Sequence, residues 1–90
     1  MRFYLSAEAE EDFQRIYRFN VERSLAWADR VERRLLERIW SLASAPLSGR
    51  SYTRGEVRRV SVADIQYVID YRVMAAAIEI MRVQSTREVQ

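Results

Sequence analysis

Residues 67–73 read YVIDYRV, and this stretch decides the class of fold. Aromatic or aliphatic side chains stand at every second position, namely Tyr67, Ile69, Tyr71 and Val73. A repeat of two residues is typical of a half-buried β-strand, because successive side chains point to opposite faces of a sheet. The two tyrosines are therefore interpreted as packing residues rather than as nucleophiles.

Strand-like segments lie on both sides of this stretch. VRRVSV, residues 57–62, precedes it with Arg58, Val60 and Val62 on one face. AIEIMRV, residues 77–83, follows after a short MAA turn, and the first five residues, MRFYL, have the aromatic content of another short strand. The sequence thus predicts a sheet with one strand at the start of the chain and three at its end.

Two helical segments separate the first strand from the others. Ser6 has the side chain of an N-cap, and the acidic residues after it favour the positive end of a helix over about 7–21. Ser24 caps a second amphipathic helix over about 25–44, which ends before Pro46. The short break between them predicts an antiparallel αα-hairpin. The order β–α–α–β–β–β predicts an α+β fold, with an antiparallel-rich sheet covered on one face by the hairpin.

The composition excludes several kinds of site. The chain has no cysteine, which excludes disulfides and thiolate metal sites, and no histidine, the commonest general base and metal ligand. No apolar run approaches the roughly 20 residues of a membrane span, and the N-terminal MRFYLSAEAEED is unlike a signal peptide. These features predict one cytoplasmic domain over residues 1–90, without metal or cofactor.

All fifteen basic residues are arginine, and their distribution is uneven. Residues 1–45 hold eight arginines and eight acids, whereas residues 46–90 hold seven arginines and five acids. Four arginines and a single glutamate lie between Arg50 and Arg59. Arginine suits bidentate contacts to carboxylates and phosphates. This is a mild basic patch, and it is not the field of a dedicated DNA-binding protein.

In order and spacing, these segments resemble the RelE/ParE superfamily of bacterial type II toxin–antitoxin toxins. The matching stretches are YLSAEAEEDFQRIYRF, the second helix ending LASAPLSGR, then VRRVSV, YVIDYRV and IEIMRV. RelE-like members cut messenger RNA in the ribosomal A site, whereas ParE-like members inhibit DNA gyrase and trap cleaved DNA. The resemblance implies a toxin that is neutralised by a cognate antitoxin, usually encoded beside it.

The residues at the family's catalytic positions favour the ParE-like branch. RNA cleavage needs a base, an acid and cations, and RelE-like enzymes supply them with lysine, arginine and a late tyrosine, or in related members histidine. This chain has no lysine or histidine, and no tyrosine follows Tyr71. The RelE-like arginine falls on Ala63, and Ser85 takes the histidine place of the family's RVLHGRR pattern. Arginine stays charged and transfers no proton, so the resemblance predicts a ParE-like toxin with no catalytic residue.

Two alternatives remain open from the sequence. A RelE-like ribosome-dependent mRNA endonuclease would need Glu79 or Glu88 as its base, and the spacing pairs neither with an acid. A decayed toxin, which holds its antitoxin without toxicity, is motivated by the altered tail QSTREVQ.

Four arginines are candidates for contacting the target: Arg58, Arg59, Arg82 and Arg87. The first two stand where the family's Leu-Arg motif begins its second strand. Arg58 either faces a partner or serves as an edge-strand charge that discourages aggregation. Arg82, placed on the strand face of Ile78 and Ile80, is first interpreted as a structural ion pair with Asp70 or Glu79. Arg87 lies in the tail, and residues 88–90 are expected to fray.

Six further residues are candidates for contacting the antitoxin: Trp27, Arg30, Arg34, Arg38, Arg50 and Arg54. An arginine–tryptophan stripe on the second helix would suit a partner surface, since both residue types are enriched at interface hot spots. In the alternative, the tryptophan covers the first helix at the hairpin corner and the arginines are solvated. The family implies a ParD-like partner with a DNA-binding N-terminal part and a C-terminal part that folds on binding. The toxin would then form a hetero-oligomer and contact DNA only through the antitoxin.

Overall fold

The computed structural model describes residues 1–51 and 56–89. Five strands and two helices lie within these residues, in the order β1 (Arg2–Leu5), α1 (Ala7–Val21), α2 (Leu25–Ser44), β2 (Arg50–Ser51), β3 (Val57–Val62), β4 (Tyr67–Val73) and β5 (Ala77–Ser85). The predicted order β–α–α–β–β–β is confirmed. The short strand β2 is an addition to the predicted order.

The strands form one mixed sheet in the order β1-β5-β4-β3-β2. β1 pairs with β5 in parallel, and the other neighbours are antiparallel. β4 lies at the centre, and every residue from Tyr67 to Tyr71 is buried. Both of these tyrosines belong to the hydrophobic core, as their alternation with Ile69 predicted.

The helical hairpin supplies the other half of the core. Ser6 and Ser24 cap the two helices as predicted, their Oγ atoms accepting from the N–H groups of Ala9 at 3.0 Å and Trp27 at 2.9 Å. The apolar face of α2 is fully buried against the sheet, through Val31, Leu35, Ile39 and Leu42. None of the described helices combines the length and apolarity that crossing a bilayer requires.

β5 contains an extra residue at Met81, because Ile80 and Arg82 pair with neighbouring residues of β4. A β-bulge of this kind shifts the alternation of the strand by one position. Val83 therefore continues the buried row of Ile78 and Ile80, and Arg82 does not. The expectation that Arg82 shares the face of those isoleucines is wrong, since the bulge breaks the period of two from which it was drawn.

Candidate functional site

At the bulge, α1 takes over from β1 as the neighbour of β5. β1 pairs with β5 only as far as Ile80. Beyond that point, Ser6 Oγ donates to the carbonyl of Met81 at 2.9 Å, and Asp12 Oδ2 accepts from the N–H of Val83 at 2.9 Å. Side chains at the start of α1 thus satisfy backbone groups that an added strand would otherwise bind.

Asp12 also binds two arginines. Arg82 Nε and Nη2 reach the two carboxylate oxygens of Asp12 at 2.8 and 3.1 Å, and Arg15 Nη2 reaches Oδ1 at 3.1 Å. Burial acts to raise the pKa of Asp12, whose side chain is 5% exposed. The hydrogen bonds from Arg82, from the Val83 N–H and from Arg15 outweigh burial and hold that pKa below its usual value. Asp12 therefore stays ionised, and Arg82 is part of a structural ion pair.

The acids expected to pair with Arg82 are engaged elsewhere. Arg59 Nε and Nη2 contact the carboxylate of Asp70 at 2.6 and 3.0 Å, and Arg72 Nε contacts Glu79 Oε1 at 2.7 Å. The structural ion pair predicted for Arg82 is confirmed, but the expected partners, Asp70 and Glu79, are wrong. Each of these carboxylates has an arginine on an adjacent strand. Arg82 instead binds Asp12 on α1.

Arg58 and Tyr71 hold the turn that follows α2. Arg58 Nη1 donates to the carbonyl of Gly49 at 2.9 Å. The Tyr71 hydroxyl accepts from the Gly49 N–H at 2.9 Å and donates to the carbonyl of Pro46 at 2.7 Å. A Cβ added at Gly49 would lie 2.5 Å from that hydroxyl, so the turn requires glycine. Two separate stretches of the resemblance, PLSGR and YVIDYRV, therefore meet in one contact.

Asn20 organises the hairpin corner. Its Oδ1 accepts from the indole Nε1 of Trp27 at 2.9 Å, and its Nδ2 donates to the hydroxyl of Tyr67 at 3.0 Å and the carbonyl of Ile16 at 2.8 Å. Trp27 packs against the core, and the guanidinium of Arg23 lies 5.0 Å from the indole centroid. The structure thus places Trp27 at the hairpin corner, the alternative to an exposed stripe. The sequence signal was a polar Asn20 on an apolar helical stripe, but the Tyr67 hydroxyl that it binds lies 47 residues away in the sequence.

A groove of about 700 Å³ opens beside this corner. We call it the tail groove, because residues 85–87 form one wall and the hairpin corner and the β3–β4 turn form the others. Gln66 in that turn adopts φ 61° and accepts from the Thr86 N–H at 2.9 Å. Arg87 is exposed at the wall, and Phe19 is 72% exposed at the rim. The tail groove therefore joins an exposed cation with an exposed aromatic ring.

Glu88 fastens the end of the tail to α1. Its Oε1 accepts from Arg15 Nη1 at 3.3 Å and from the Ser85 N–H at 3.2 Å. Burial acts to lower the pKa of Arg15. The hydrogen bond to Asp12 and the coulombic attraction of Glu88 outweigh burial, so that this pKa lies above its usual value. The expectation that the chain frays from residue 88 is wrong for Glu88 itself.

The remaining candidates lie along α2 and the opposite edge of the sheet. Arg38 and Arg50 line a groove of about 600 Å³ with Ser48, Ser51 and Ser61, which we call the edge groove. Arg34 is bound by Asp64, at 2.7 Å from Nε and 3.0 Å from Nη2, and Arg30 is exposed. Arg54 lies outside the described residues. The structure thus brings Arg38 and Arg50 together and places Trp27 in the tail groove.

The described residues differ from a RelE-like site at the positions that the resemblance marks. They include no group of three or more acidic, histidine or cysteine side chains able to hold a metal ion. Ser85, in the histidine place, is half buried at the end of β5, and its N–H is taken by Glu88. Ala63 and Ser85, the places of the RelE-like arginine and of the family's histidine, carry neither a cationic side chain nor an imidazole.

A model of the family described as "ParE toxin of type II toxin-antitoxin system, parDE" matches residues 3–90. This chain belongs to the ParE toxin family. The predicted superfamily and branch are confirmed, and the protein is a ParE-type toxin of a type II toxin–antitoxin system. No curated protein matches this chain in a sequence search.

Solved structures share the fold of this ParE-type toxin at low sequence identity. A chain described as "Chromosomal ParDE TA system from P. aeruginosa" aligns with a TM-score of 0.82 and 20% identity, over 94% of this chain and 95% of that one. The isolated E. coli RelE toxin aligns with a TM-score of 0.68 and 11% identity, over 93% of this chain and 82% of that one. These likenesses support the β–α–α–β–β–β architecture.

Proposed function

We propose that this ParE-type toxin inhibits DNA gyrase by binding it, that it catalyses no reaction itself, and that a ParD-like antitoxin neutralises it. The observation that carries the proposal is the family match over residues 3–90. Gyrase acts on chromosomal DNA, so the cytoplasm is the proposed place of action. The interacting partners are then gyrase and the antitoxin, and the toxin contacts DNA only through the antitoxin.

The state of the groups around Arg82 argues against RNA cleavage. A nuclease needs one group that takes the proton of the 2′-hydroxyl and another that protonates the leaving oxygen. The pKa of Asp12 is lowered, and its carboxylate accepts from Arg82, Arg15 and the Val83 N–H. The hydrogen bond that Arg82 donates to Asp12 raises the pKa of Arg82. The hydroxyl of Tyr67 is buried and bound by Asn20. Neither Asp12 nor Arg82 exchanges a proton near neutral pH.

The tail groove is the proposed surface for gyrase. Arg87 stands exposed on its wall, whereas Arg59 and Arg82 are both bound by carboxylates within the toxin. Phe19 adds an exposed aromatic ring at the rim. Arginine and aromatic side chains are enriched at interface hot spots. Among the four target candidates, Arg87 is therefore proposed to carry the contact, with the others supporting the fold.

The test is a supercoiling assay with purified gyrase, relaxed plasmid and increasing toxin. We expect inhibition with accumulation of linear, cleaved plasmid, and recovery when the product of the adjacent reading frame is added as antitoxin. Arg87→Ala should weaken inhibition, whereas Arg18→Ala removes an exposed charge from α1 and should behave as the parent. Unimpaired supercoiling at saturating toxin would refute gyrase inhibition.

Two companion measurements separate the alternatives. Cleaved messenger in a translation extract that contains the toxin would identify a RelE-like nuclease instead. Induced expression without antitoxin should arrest growth and switch on DNA-damage signalling. Normal growth with retained antitoxin binding would identify a decayed toxin.

A further inference from the structure

The last described residues of the chain form a closed turn, Ser85–Glu88, which we call the tail turn. The N–H of Glu88 donates to the carbonyl of Ser85 at 3.0 Å, and Oε1 of Glu88 accepts from the N–H of Ser85 at 3.2 Å. One residue thus binds both backbone groups of Ser85. A hydrogen bond between the first and fourth residues is typical of a β-turn, and Arg87 stands at the third position.

A chain of charged side chains fastens the tail turn to α1. Arg15 donates from Nη1 to Glu88 Oε1 at 3.3 Å and from Nη2 to Asp12 Oδ1 at 3.1 Å. Asp12 in turn accepts from the N–H of Val83 at 2.9 Å. One guanidinium therefore joins the carboxylate of the tail turn to the buried carboxylate that holds the end of β5.

A second anchor comes from the turn between β3 and β4. The N–H of Thr86 donates to the carbonyl of Gln66 at 2.9 Å. Gln66 has φ 61°, a left-handed conformation that is uncommon for a residue other than glycine and persists only where surrounding contacts hold it. The tail turn is thus bound by two elements that lie far from it in the sequence.

Arg87 is the residue of the tail turn that these anchors leave out. The contacts described above involve Ser85, Thr86 and Glu88, and Arg87 makes no ion pair within the described residues. Its side chain is exposed on the wall of the tail groove, which has the exposed ring of Phe19 at its rim. The anchors therefore fix the backbone that carries Arg87 and leave its guanidinium available to a partner.

We propose that Glu88 is a positioning residue for Arg87, and that it acts by closing the tail turn on Arg15. This inference rests on the proposed function, in which Arg87 carries the contact with gyrase. A flexible tail would have to be ordered on binding, and fixing the backbone of one residue lowers affinity about five- to thirtyfold. Glu88 orders the tail turn in the free toxin, so this loss is avoided. It acts through Arg87 and makes no contact with the target itself.

The test is a double-mutant cycle, read in the supercoiling assay with purified gyrase and full-length toxin. Glu88→Ala should raise the toxin concentration for half-maximal inhibition about five- to thirtyfold. In the Arg87→Ala background the same substitution should change it by less than about twofold, because the positioned residue is gone. Glu88→Gln keeps an oxygen for the Ser85 N–H and should restore part of the inhibition. Glu11→Ala removes the same charge from an exposed position of α1 outside the tail groove and should behave as the parent.

Two further measurements separate positioning from folding. The side chain of Glu88 is 40% exposed, so its ion pair contributes little to stability, and the Tm of Glu88→Ala should lie within about 3 °C of the parent. Amide hydrogen exchange should become faster at Ser85 and Thr86 and stay unchanged at Val83, whose acceptor is Asp12. Unchanged exchange at Ser85 and Thr86 would overturn the role of Glu88 in closing the turn.

The outcomes for Glu88 and for the gyrase target are distinct. If the parent inhibits gyrase and Glu88→Ala inhibits equally well, the positioning role is overturned and gyrase remains the target. Equal losses with and without Arg87 would make Glu88 a separate contact, which also overturns the role. If the parent arrests growth without inhibiting gyrase, only the target is refuted, and the same cycle is read as growth arrest. A toxin that does neither would overturn both.

Discussion

Replacing Asp12 with alanine should be one of the most damaging single changes available in this toxin. The substitution leaves the N–H of Val83 without its acceptor, and an unsatisfied buried donor costs about 1–3 kcal/mol. The side chains of Arg82 and Arg15 are each 43% exposed, so water replaces the carboxylate and each lost ion pair adds at most about 1 kcal/mol. We expect the free energy of unfolding to fall by about 2–4 kcal/mol, combining the donor and ion-pair costs.

Thermal unfolding followed by circular dichroism measures this loss. In a domain of this size, each 1 kcal/mol lowers the Tm by about 4–8 °C, so Asp12→Ala should lower it by roughly 10–30 °C. Asp12→Asn retains an oxygen that can accept from the Val83 N–H, so its Tm should lie between those of the parent toxin and Asp12→Ala. Asp64→Ala breaks the exposed pair with Arg34 and serves as the control, with a much smaller change. A Tm for Asp12→Ala equal to that of the control would refute the role assigned to the buried carboxylate.

The same carboxylate gives the stability a defined pH dependence. The pKa of Asp12 is lower in the folded toxin than its ordinary value of 3.8. The contribution of Asp12 to the free energy of unfolding is therefore fully present above pH 3.8, and it is lost as the pH falls through the pKa of the folded state. The difference in free energy of unfolding between the parent toxin and Asp12→Asn should be constant from pH 7 to about pH 5 and shrink below pH 3.8. A difference that vanishes already at pH 6 would contradict this assignment.

Three further substitutions test other contacts. Gly49→Ala places a Cβ 2.5 Å from the Tyr71 hydroxyl, and chemical denaturation should register a loss of about 1–3 kcal/mol, whereas parent-like stability would contradict the tight turn. Trp27→Phe keeps a ring at the hairpin corner but leaves the buried Oδ1 of Asn20 without its donor, which should cost about 1–3 kcal/mol in urea unfolding. Arg87→Ala should reduce growth arrest while leaving the Tm within about 2 °C, since surface substitutions are nearly neutral for stability; a large drop in Tm would mark the residue as structural.

The elements with local signals could be predicted from the sequence. Ser6 and Ser24 lie before periodic apolar segments, and both cap helices with the predicted bounds. The alternation in residues 67–73 identified the central strand and the packing role of its tyrosines. Each of these features depends on neighbours within a few residues, so the pattern alone carries the information.

The features that failed prediction depend on contacts between distant segments. The hydrophobic pattern does not indicate the bulge at Met81. An uninterrupted period of two therefore predicts the wrong face for Arg82 and the wrong ion-pair partners, Asp70 and Glu79. Asp12, which pairs with Arg82, lies 70 residues away from it in the sequence, and Asn20 donates to the hydroxyl of Tyr67 across 47 residues. A buried polar group selects its partner by three-dimensional proximity, which periodicity does not encode. Parallel pairing of β1 with β5 was hidden for the same reason.

The pairing of β1 with β5 joins two strands that are synthesised far apart in time. Arg2–Leu5 leave the ribosome early, yet they pair with residues 77–80, and the Oγ of Ser6 finds its carbonyl 75 residues later. Proteins are synthesised from the N-terminus, and contacts across such separations form late because loop closure is costly. The α1–α2 hairpin can assemble during synthesis, whereas the tail groove waits for the final strand. A chain interrupted before β5 therefore lacks one wall of the tail groove, the proposed gyrase surface.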